Sequence, residues 1–545
     1  MRVERVVWTG LALACAVVSA WLVYRLPILY SQDSVHYLSL AEHLARGDGY
    51  HSDLYLFPDL MQPPLYPLLI AVGIRCGLTA IVSAVVVCAL AQAGSLLLVV
   101  ALYRATFGRR GLLVVGLAAI VYANLAIGTG LLLEPLYCFL LAFAAWAAIA
   151  SDVPGLSRAL VCGMGVGLAL VTRSEAVITA GVLGAALLFW PGQKRRIVVC
   201  TVALVGAALV VMPYGLWMRA HLGQFEVLPK LRYNVPFADI TDHMDWPTDE
   251  EQLTARDLRT HEAVMPDHAT FVLDYAFSHP AFDPRTMFPR RQGQASDRLG
   301  LLVRTAYRMV VDGVRQTGLA QPLVLLLIVG GLFRGWRESR ARSVSLAALM
   351  AANLLPGLLS GENYQTRFTA PALLFSLPLI VGGIEHWVQV VARRWPTMVP
   401  FCRVALAVAL LLLLGSRTRR HLNEIAGGPR LEARAYATDA AMSRIVPEHS
   451  SVLCEHARVA FLRHARSYQT PYAPDRRTFL DYIEKHSIDY ALLDTRLLKK
   501  HPGPENRRLA DRANWPLQWQ LLEELFPDDE PIWVVRVGGE TAPRH

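Results

Sequence analysis

Ser31-Gln-Asp-Ser-Val-His-Tyr-Leu-Ser-Leu-Ala-Glu-His-Leu-Ala-Arg-Gly-Asp-Gly-Tyr50 is a polar insert between apolar runs, and Met61-Gln-Pro-Pro-Leu-Tyr-Pro67 follows about a dozen residues later. Val35, Leu38, Ala41, Leu44 and Ala45 recur at helical spacing, and Gly47 and Gly49 end the pattern, so a helix is expected to start near Asp33. Asp33 comes just past the first apolar run, Val6 to Leu26, where a helix leaves the bilayer. Aspartate at that position is a preferred N-cap, because its oxygen satisfies free backbone N–H groups. A carboxylate held at a membrane surface is equally suited to chemistry on a lipid-anchored substrate, and the two roles are compatible.

The surroundings of this insert set the class. Of 545 residues, 54% are hydrophobic and 18% charged, below the roughly 25% of soluble domains. Several apolar runs exceed 18 residues, so the chain is expected to cross a membrane many times. The first run is longer than a signal-peptide core and lacks a clean cleavage site, so it is expected to be retained. Eleven spans are expected, at roughly 6–26, 80–105, 111–128, 131–150, 157–172, 175–190, 196–217, 319–334, 343–360, 369–391 and 400–416. With the N-terminus inside, Arg109-Arg110, Lys194–Arg196, Arg334–Arg342 and Arg393-Arg394 all fall on the cytoplasmic side, a consistent positive-inside pattern. Counting Pro64–Gly77 as a further span would invert those loops. That stretch is short and holds Arg75, so it is expected to be interfacial or re-entrant. The net charge of +9 is explained by these loops and does not point to nucleic acid.

Three regions then face outward: 27–79, 219–318 and the tail. The organisation expected is a membrane module over 1–420, with outer loops 27–79 and 219–318, followed by an extracytoplasmic α/β domain over 421–545. In that domain Ala435–Val446 and Thr478–His486 read as helices, and Ser450–Cys454, Asp489–Asp494 and Ile532–Val537 as strands. It has no Gly-rich phosphate loop, and its one cysteine, Cys454, cannot form a disulfide within it. Most other cysteines lie in apolar runs and read as small hydrophobes.

Other ionisable groups recur on the outer side. Glu134 precedes Pro135 in the turn before the fourth span, where a carboxylate also suits the helix dipole. Arg173 and Glu175 flank Ser174 in the turn between spans five and six, and charged pairs in apolar hairpins are functional candidates. Arg367, at the start of span ten, is placed to grip a lipid phosphate bidentately or to snorkel. Lys230 is a weaker version of the same idea. His243, His261 and His268 form no HExxH-type motif, so no metal site is assigned to them.

Taken together, the sequence resembles the GT-C superfamily of membrane glycosyltransferases, in the branch of protein mannosyltransferases and the aminoarabinose lipid A transferase. The residues that carry the resemblance are Asp33, Tyr37 and Ala41, the Gly47–Gly49 stop, Pro63–Pro67, the Thr129–Glu134 turn, Gly167–Arg173, Arg367-Phe368 with Pro371, and the polar tail. It implies a polytopic α-helical membrane protein of about eleven transmembrane helices with a small C-terminal soluble α/β domain, in a bacterial-type cytoplasmic (inner) membrane. It implies an enzyme that moves a sugar from a polyprenyl-phosphate donor to an extracytoplasmic acceptor (protein, lipid or glycan) by an inverting single displacement. Asp33 and Glu134 then become the catalytic candidates. Arg367, Arg173 and Lys230 become donor-phosphate ligands, and His36, Tyr37, Glu175 and Tyr66 substrate-positioning residues. The resemblance implies no certain cofactor, and a divalent cation is compatible. Two departures stand out: many relatives have Asp-Glu where Asp33-Ser34 occurs, and often Arg where His36 stands. The competing classes are a transporter and a polymerase or ligase of lipid-linked glycans. The first is disfavoured by sparse polar residues within spans, the second by the first-loop Asp33.

Overall fold

The computed structural model describes residues 32–51, 62–108, 132–150, 155–222, 322–356, 370–398, 428–448, 450–454, 466–468, 476–485, 487–500, 504–527 and 530–537, with a few single positions besides. The expected spans at 111–128 and 400–416 and most of 6–26 lie outside these residues, as do Lys230, Arg367, His243, His261 and His268. The chain divides into two compact units. One comprises Met1–Leu29, Gln62–Asp242 and Arg291–Ile425, the other Tyr30–Met61, His243–Arg290 and Ala426–His545.

The first unit is helical. Its described helices are α2 (Leu65–Arg75), α3 (Ala80–Phe107), α4 (Glu134–Ile149), α5 (Leu156–Leu170), α6 (Ala176–Leu188), α7 (Arg196–Leu222), α8 (Pro322–Ala352) and α9 (Ala370–Arg394). Among the described residues three stretches are long and apolar enough to cross a membrane: Ala80–Phe107, Arg196–His221 and Ala370–Arg394. Helix α3 starts at Thr79, whose side chain accepts from Val82 N, and stops at Gly108, whose φ of 75° suits only glycine well. The eleven residues of α2 rise only about 16 Å, half of an apolar bilayer core. It folds back on α3 through Ser83, whose hydroxyl donates to Ile70 O at 2.8 Å.

Glycines set the helix spacing. A Cβ on Gly163 would strike the carbonyl of Ala203, and one on Gly167 would come within 2.8 Å of Ala207 O, so α5 and α7 touch backbone to backbone. This is the small-residue logic of membrane helix pairs. Helices α8 and α9 interlock the same way: Gly331 abuts the Leu379 carbonyl, and Gly383 abuts the Leu327 carbonyl. Helix α8 is broken at Ser339, which has non-helical φ/ψ. Ser343 packs on Gly335, so the chain doubles back there as a hairpin, matching the separation of the expected spans 319–334 and 343–360. Past that bend, Arg342 donates to Ile149 O at 3.1 Å and Ala105 O at 2.6 Å, so one guanidinium satisfies the C-terminal carbonyls of α3 and α4. Helix α7 turns Ile197, Leu204, Leu209 and Leu216 outward, a face suited to lipid.

The second unit holds α1 (Gln32–Arg46) and a mixed α/β fold. After α10 (Gly428–Ile445) come β1 (Ser451–Cys454), β2 (Arg466–Tyr468), α11 (Arg476–Lys485), β3 (Tyr490–Asp494), α12 (Thr495–Lys500), α13 (Pro504–Arg508), β4 (Gln520–Leu525) and β5 (Ile532–Arg536). The sheet order is β2-β1-β3-β5-β4, parallel across β2-β1-β3 and antiparallel across β3-β5-β4, with Val452 opposite Tyr490 and Ala491 opposite Val535. Alternate residues supply two cores. Val452, Cys454, Leu492 and Val534 meet Ala441 and Met442 of α10. Leu453, Ala491, Leu493, Trp533 and Val535 meet Phe479, Leu498, Trp515 and Trp519 on the other face. Asp494 ends β3 and caps α12, accepting from Arg496 N at 3.0 Å.

Candidate active site

Three turns meet at one end of the helical unit. The first precedes α2, the second precedes α4, and the third joins α5 to α6. Backbone and side-chain bonds tie them: Leu65 N donates to Val171 O at 3.1 Å, and Cys88 Sγ donates to Leu132 O at 3.6 Å. The Tyr66 hydroxyl reaches Cys88 Sγ at 3.4 Å, and its ring is fully buried. The third turn is built by the end of α5, where Arg173 N returns to Ala169 O and the Thr172 hydroxyl to Leu168 O. Pro135 in the first turn of α4 fixes the entry of Glu134 into the helix.

Arg173 is the centre of this end. Its Nη1 donates to Glu134 Oε1 at 2.8 Å, and its Nε lies 3.2 Å from Glu175 Oε1. Its guanidinium carbon lies 5.8 Å from the centre of the Tyr137 ring, one helical turn beyond Glu134. The side chains of Arg173 and Glu134 are 11% and 3% exposed, so the pair is shielded from water and sensitive to loss of either member. The Tyr137 hydroxyl is buried and has no hydrogen-bond partner among the described residues. One helical turn along α6, Thr179 pairs with Asn353 of α8, whose Nδ2 donates at 3.0 Å.

The sequence-derived candidates therefore fall into three groups. Glu134, Arg173 and Glu175 are brought together, and Tyr66 is linked through Cys88 to the turn before Glu134. Asp33, His36 and Tyr37 lie on α1 in the other unit. Asp33 is half-buried and sits in the first turn of a helix that begins at Gln32, rather than as its N-cap, while His36 and Tyr37 are buried. The Gln32 turn adds one residue before Asp33, where the carboxylate still faces the positive end of the helix dipole. Lys230 and Arg367 lie outside the described residues. Sequence reasoning passed over Tyr137 and Cys88. Tyr137, three residues after Glu134 on one helix face, was the legible signal of the two.

The far end of α1 carries a second polar group. Arg46 Nε donates to Asp48 Oδ2 at 2.9 Å, His43 Nδ1 lies 3.3 Å from the same oxygen, and the His43 and His51 rings lie 3.9 Å apart. The hydrogen bond from Arg46 holds the Asp48 carboxyl below its usual range. Among the described residues no three His, Cys, Asp or Glu side chains are placed to hold a metal ion.

No protein-family model matches the chain, and no curated protein matches it significantly. Solved structures do. ArnT from Cupriavidus metallidurans bound to undecaprenyl phosphate superposes with a TM-score of 0.52 at 14% identity, over 99% of both chains. The archaeal oligosaccharyltransferase AglB from Archaeoglobus fulgidus, in complex with an inhibitory peptide and a dolichol-phosphate, gives 0.52 at 13% identity over 92% of this chain and 71% of that one. An Archaeoglobus fulgidus oligosaccharyltransferase structure with Zn and sulfate gives 0.53 at 14% identity over 95% and 72%. The chain has the GT-C fold.

Proposed function

We propose that this chain is a membrane glycosyltransferase that moves a sugar from a polyprenyl-phosphate donor to an extracytoplasmic acceptor. The observation that carries the reading is the buried Arg173 held between Glu134 and Glu175 where three turns meet, in a chain of GT-C fold. The likeness to proteins solved with undecaprenyl phosphate and dolichol-phosphate supports a lipid-phosphate donor. Eleven spans, a cytoplasmic N-terminus, an outer tail beginning near residue 421 and a bacterial inner-membrane location complete the proposal.

In the reaction, an acceptor oxygen attacks the anomeric carbon of the donor as the bond from that carbon to the phosphate oxygen breaks. The carrier phosphate leaves with the bonding electrons, the configuration inverts, and the acceptor proton passes to Asp33. The departing phosphate needs charge stabilisation rather than a proton, which is the role assigned to Arg367, Arg173 and Lys230. Glu134 and Glu175 hold Arg173 in place, and Glu134 orients the acceptor. His36, Tyr37 and Tyr66 shape the surroundings. A divalent cation is compatible with these carboxylates.

Transfer from a panel of radiolabelled polyprenyl-phosphate sugars, measured with wild type and Asp33→Asn, tests the reading. Asparagine keeps the shape of the side chain and removes the base. The expected loss in turnover is about a hundredfold or more with donor binding retained. A fully active Asp33→Asn protein eliminates the mechanism.

A further inference from the structure

In the second unit, residues 504–519 form a knob on the tryptophan-rich face of the sheet. Helix α13 leads into a one-turn helix, Arg512–Asn514, and then into the turn Trp515–Trp519. Two tryptophans fasten that turn from below. The Trp515 Nε1 donates to Leu509 O at 3.0 Å, and its ring meets Trp533 edge-on at 5.0 Å. The Trp519 ring lies 6.0 Å from Phe479, and Trp519 N closes the turn on Pro516 O at 3.0 Å. Between these anchors Leu517 is fully exposed, more so than any other large hydrophobic among the described residues.

An isolated exposed leucine is ordinary on a protein surface. This one differs in two respects. It is presented rigidly, because both flanking tryptophans are buried and the turn is hydrogen-bonded, so it cannot fold down onto the protein. It also follows a basic stretch of chain. Arg507, Arg508 and Arg512 are exposed on the same knob, against exposed Asp511 and the buried Glu505 that pairs with Arg508. Arg476 and Arg477 are exposed at the start of α11, the helix whose Phe479 lies against Trp519.

We propose that the Pro516–Gln518 turn is a membrane contact, with Leu517 entering the boundary between headgroups and acyl chains. Arg507, Arg508 and Arg512 face the anionic phosphates of the same leaflet. Apolar side chains flanked by Lys and Arg are what interfacial amphipathic helices present to anionic bilayers, and this turn offers the same chemistry on a smaller scale. The partner is the phospholipid surface itself, and the contact is independent of the transfer reaction proposed above.

The test uses the full chain in lipid nanodiscs. Cys76 is replaced by serine, because it is exposed, and bimane is attached at Leu517→Cys or, as reference, at the exposed Glu484→Cys on α11. Lipids carrying a shallow spin label serve as quenchers. The expected result is at least about twofold stronger quenching at position 517 than at 484 in discs containing phosphatidylglycerol, falling toward the reference in Arg507→Gln/Arg508→Gln/Arg512→Gln. Leu517 contributes no buried packing, so its replacement leaves the fold intact. Quenching at 517 no stronger than at 484 overturns the proposal, as does equal quenching in discs of phosphatidylcholine alone. A contact with a protein or a glycan instead of lipid would give the first of those results.

Discussion

Replacing Arg173 by methionine, alone and with Glu134→Gln, measures how far the buried charge cluster depends on its guanidinium. Arg173→Met leaves Glu134, 3% exposed, and Glu175, 18% exposed, without the cation between them. Removing one partner of a buried pair costs about 3–5 kcal/mol, and the water that reaches Glu175 places the cost near the lower end. Glu134→Gln alone exchanges a charge-assisted hydrogen bond for a neutral one, a loss of about 1 kcal/mol. In the double variant the more buried of the two carboxylates that faced Arg173 is gone. It should therefore recover about 1–2 kcal/mol relative to Arg173→Met, a coupling of the size seen for residues in contact. Melting in detergent at a fixed scan rate is the assay. Domains of 150–250 residues shift about 2–4 °C per kcal/mol, and a chain this long should shift about 1–2 °C. The expected order of melting temperature is wild type, Glu134→Gln, the double variant, then Arg173→Met. If the double variant melts at or below Arg173→Met, the two groups are not coupled and the account of this site fails.

Other outcomes follow from particular contacts. Gly383→Val should lower the melting temperature by the equivalent of about 1–3 kcal/mol, because its Cβ would meet the Leu327 backbone. Gly181→Ala, with open space around it, should be neutral or stabilising by up to about 1 kcal/mol in the same scan. Asp48→Asn should speed tryptic cleavage after Arg46, since the carboxylate bonded to that guanidinium is lost. The depressed Asp48 pKa gives the matching pH dependence: its contribution is present above the unfolded value, near 3.8, and is lost as pH falls through the lower folded value. An unchanged cleavage rate at neutral pH would show that the contact does not order the turn. Cysteine labelling of intact cells should modify Gln520→Cys in the tail but not Arg340→Cys at the α8 bend, and labelling of Arg340→Cys from outside would invert the proposed topology.

Much of the helical architecture was legible because membrane helices announce themselves by composition. The runs that became α3, α7 and α9 are long and almost free of charge. The helix at Asp33 was legible from periodicity, and β1, β3 and β5 from short apolar runs. Strand β4 was not. Gln520-Leu-Leu-Glu-Glu-Leu525 is made of helix formers, and it is extended because it pairs with β5 across a bulge at Leu521/Glu523. The three residues of β2, Arg466–Tyr468, carry no apolar alternation and form an edge by pairing with β1. At the candidate site the pairing of Arg173 with neighbouring Glu175 could be read from spacing. Its stronger bond to Glu134, 39 positions away, could not, because only the packing of α4 against α5 creates it. Cys88 looked like a small hydrophobe, yet its thiol bonds the Leu132 carbonyl that precedes Glu134.

The grouping of α1 with the tail bears on how the protein is made. Arg46 and Gly428 belong to one compact unit but are separated by roughly 380 residues of chain, most of them assigned to the bundle. At the usual ribosomal pace of about 5–20 residues per second, the tail of that unit begins to be synthesised roughly 20–75 s after α1. Val35, Leu38 and Leu40, which end up buried, are made long before the tail of their unit. The helix that carries Asp33 is thus the first part of its unit to be made, and that unit is complete only once the tail has left the ribosome.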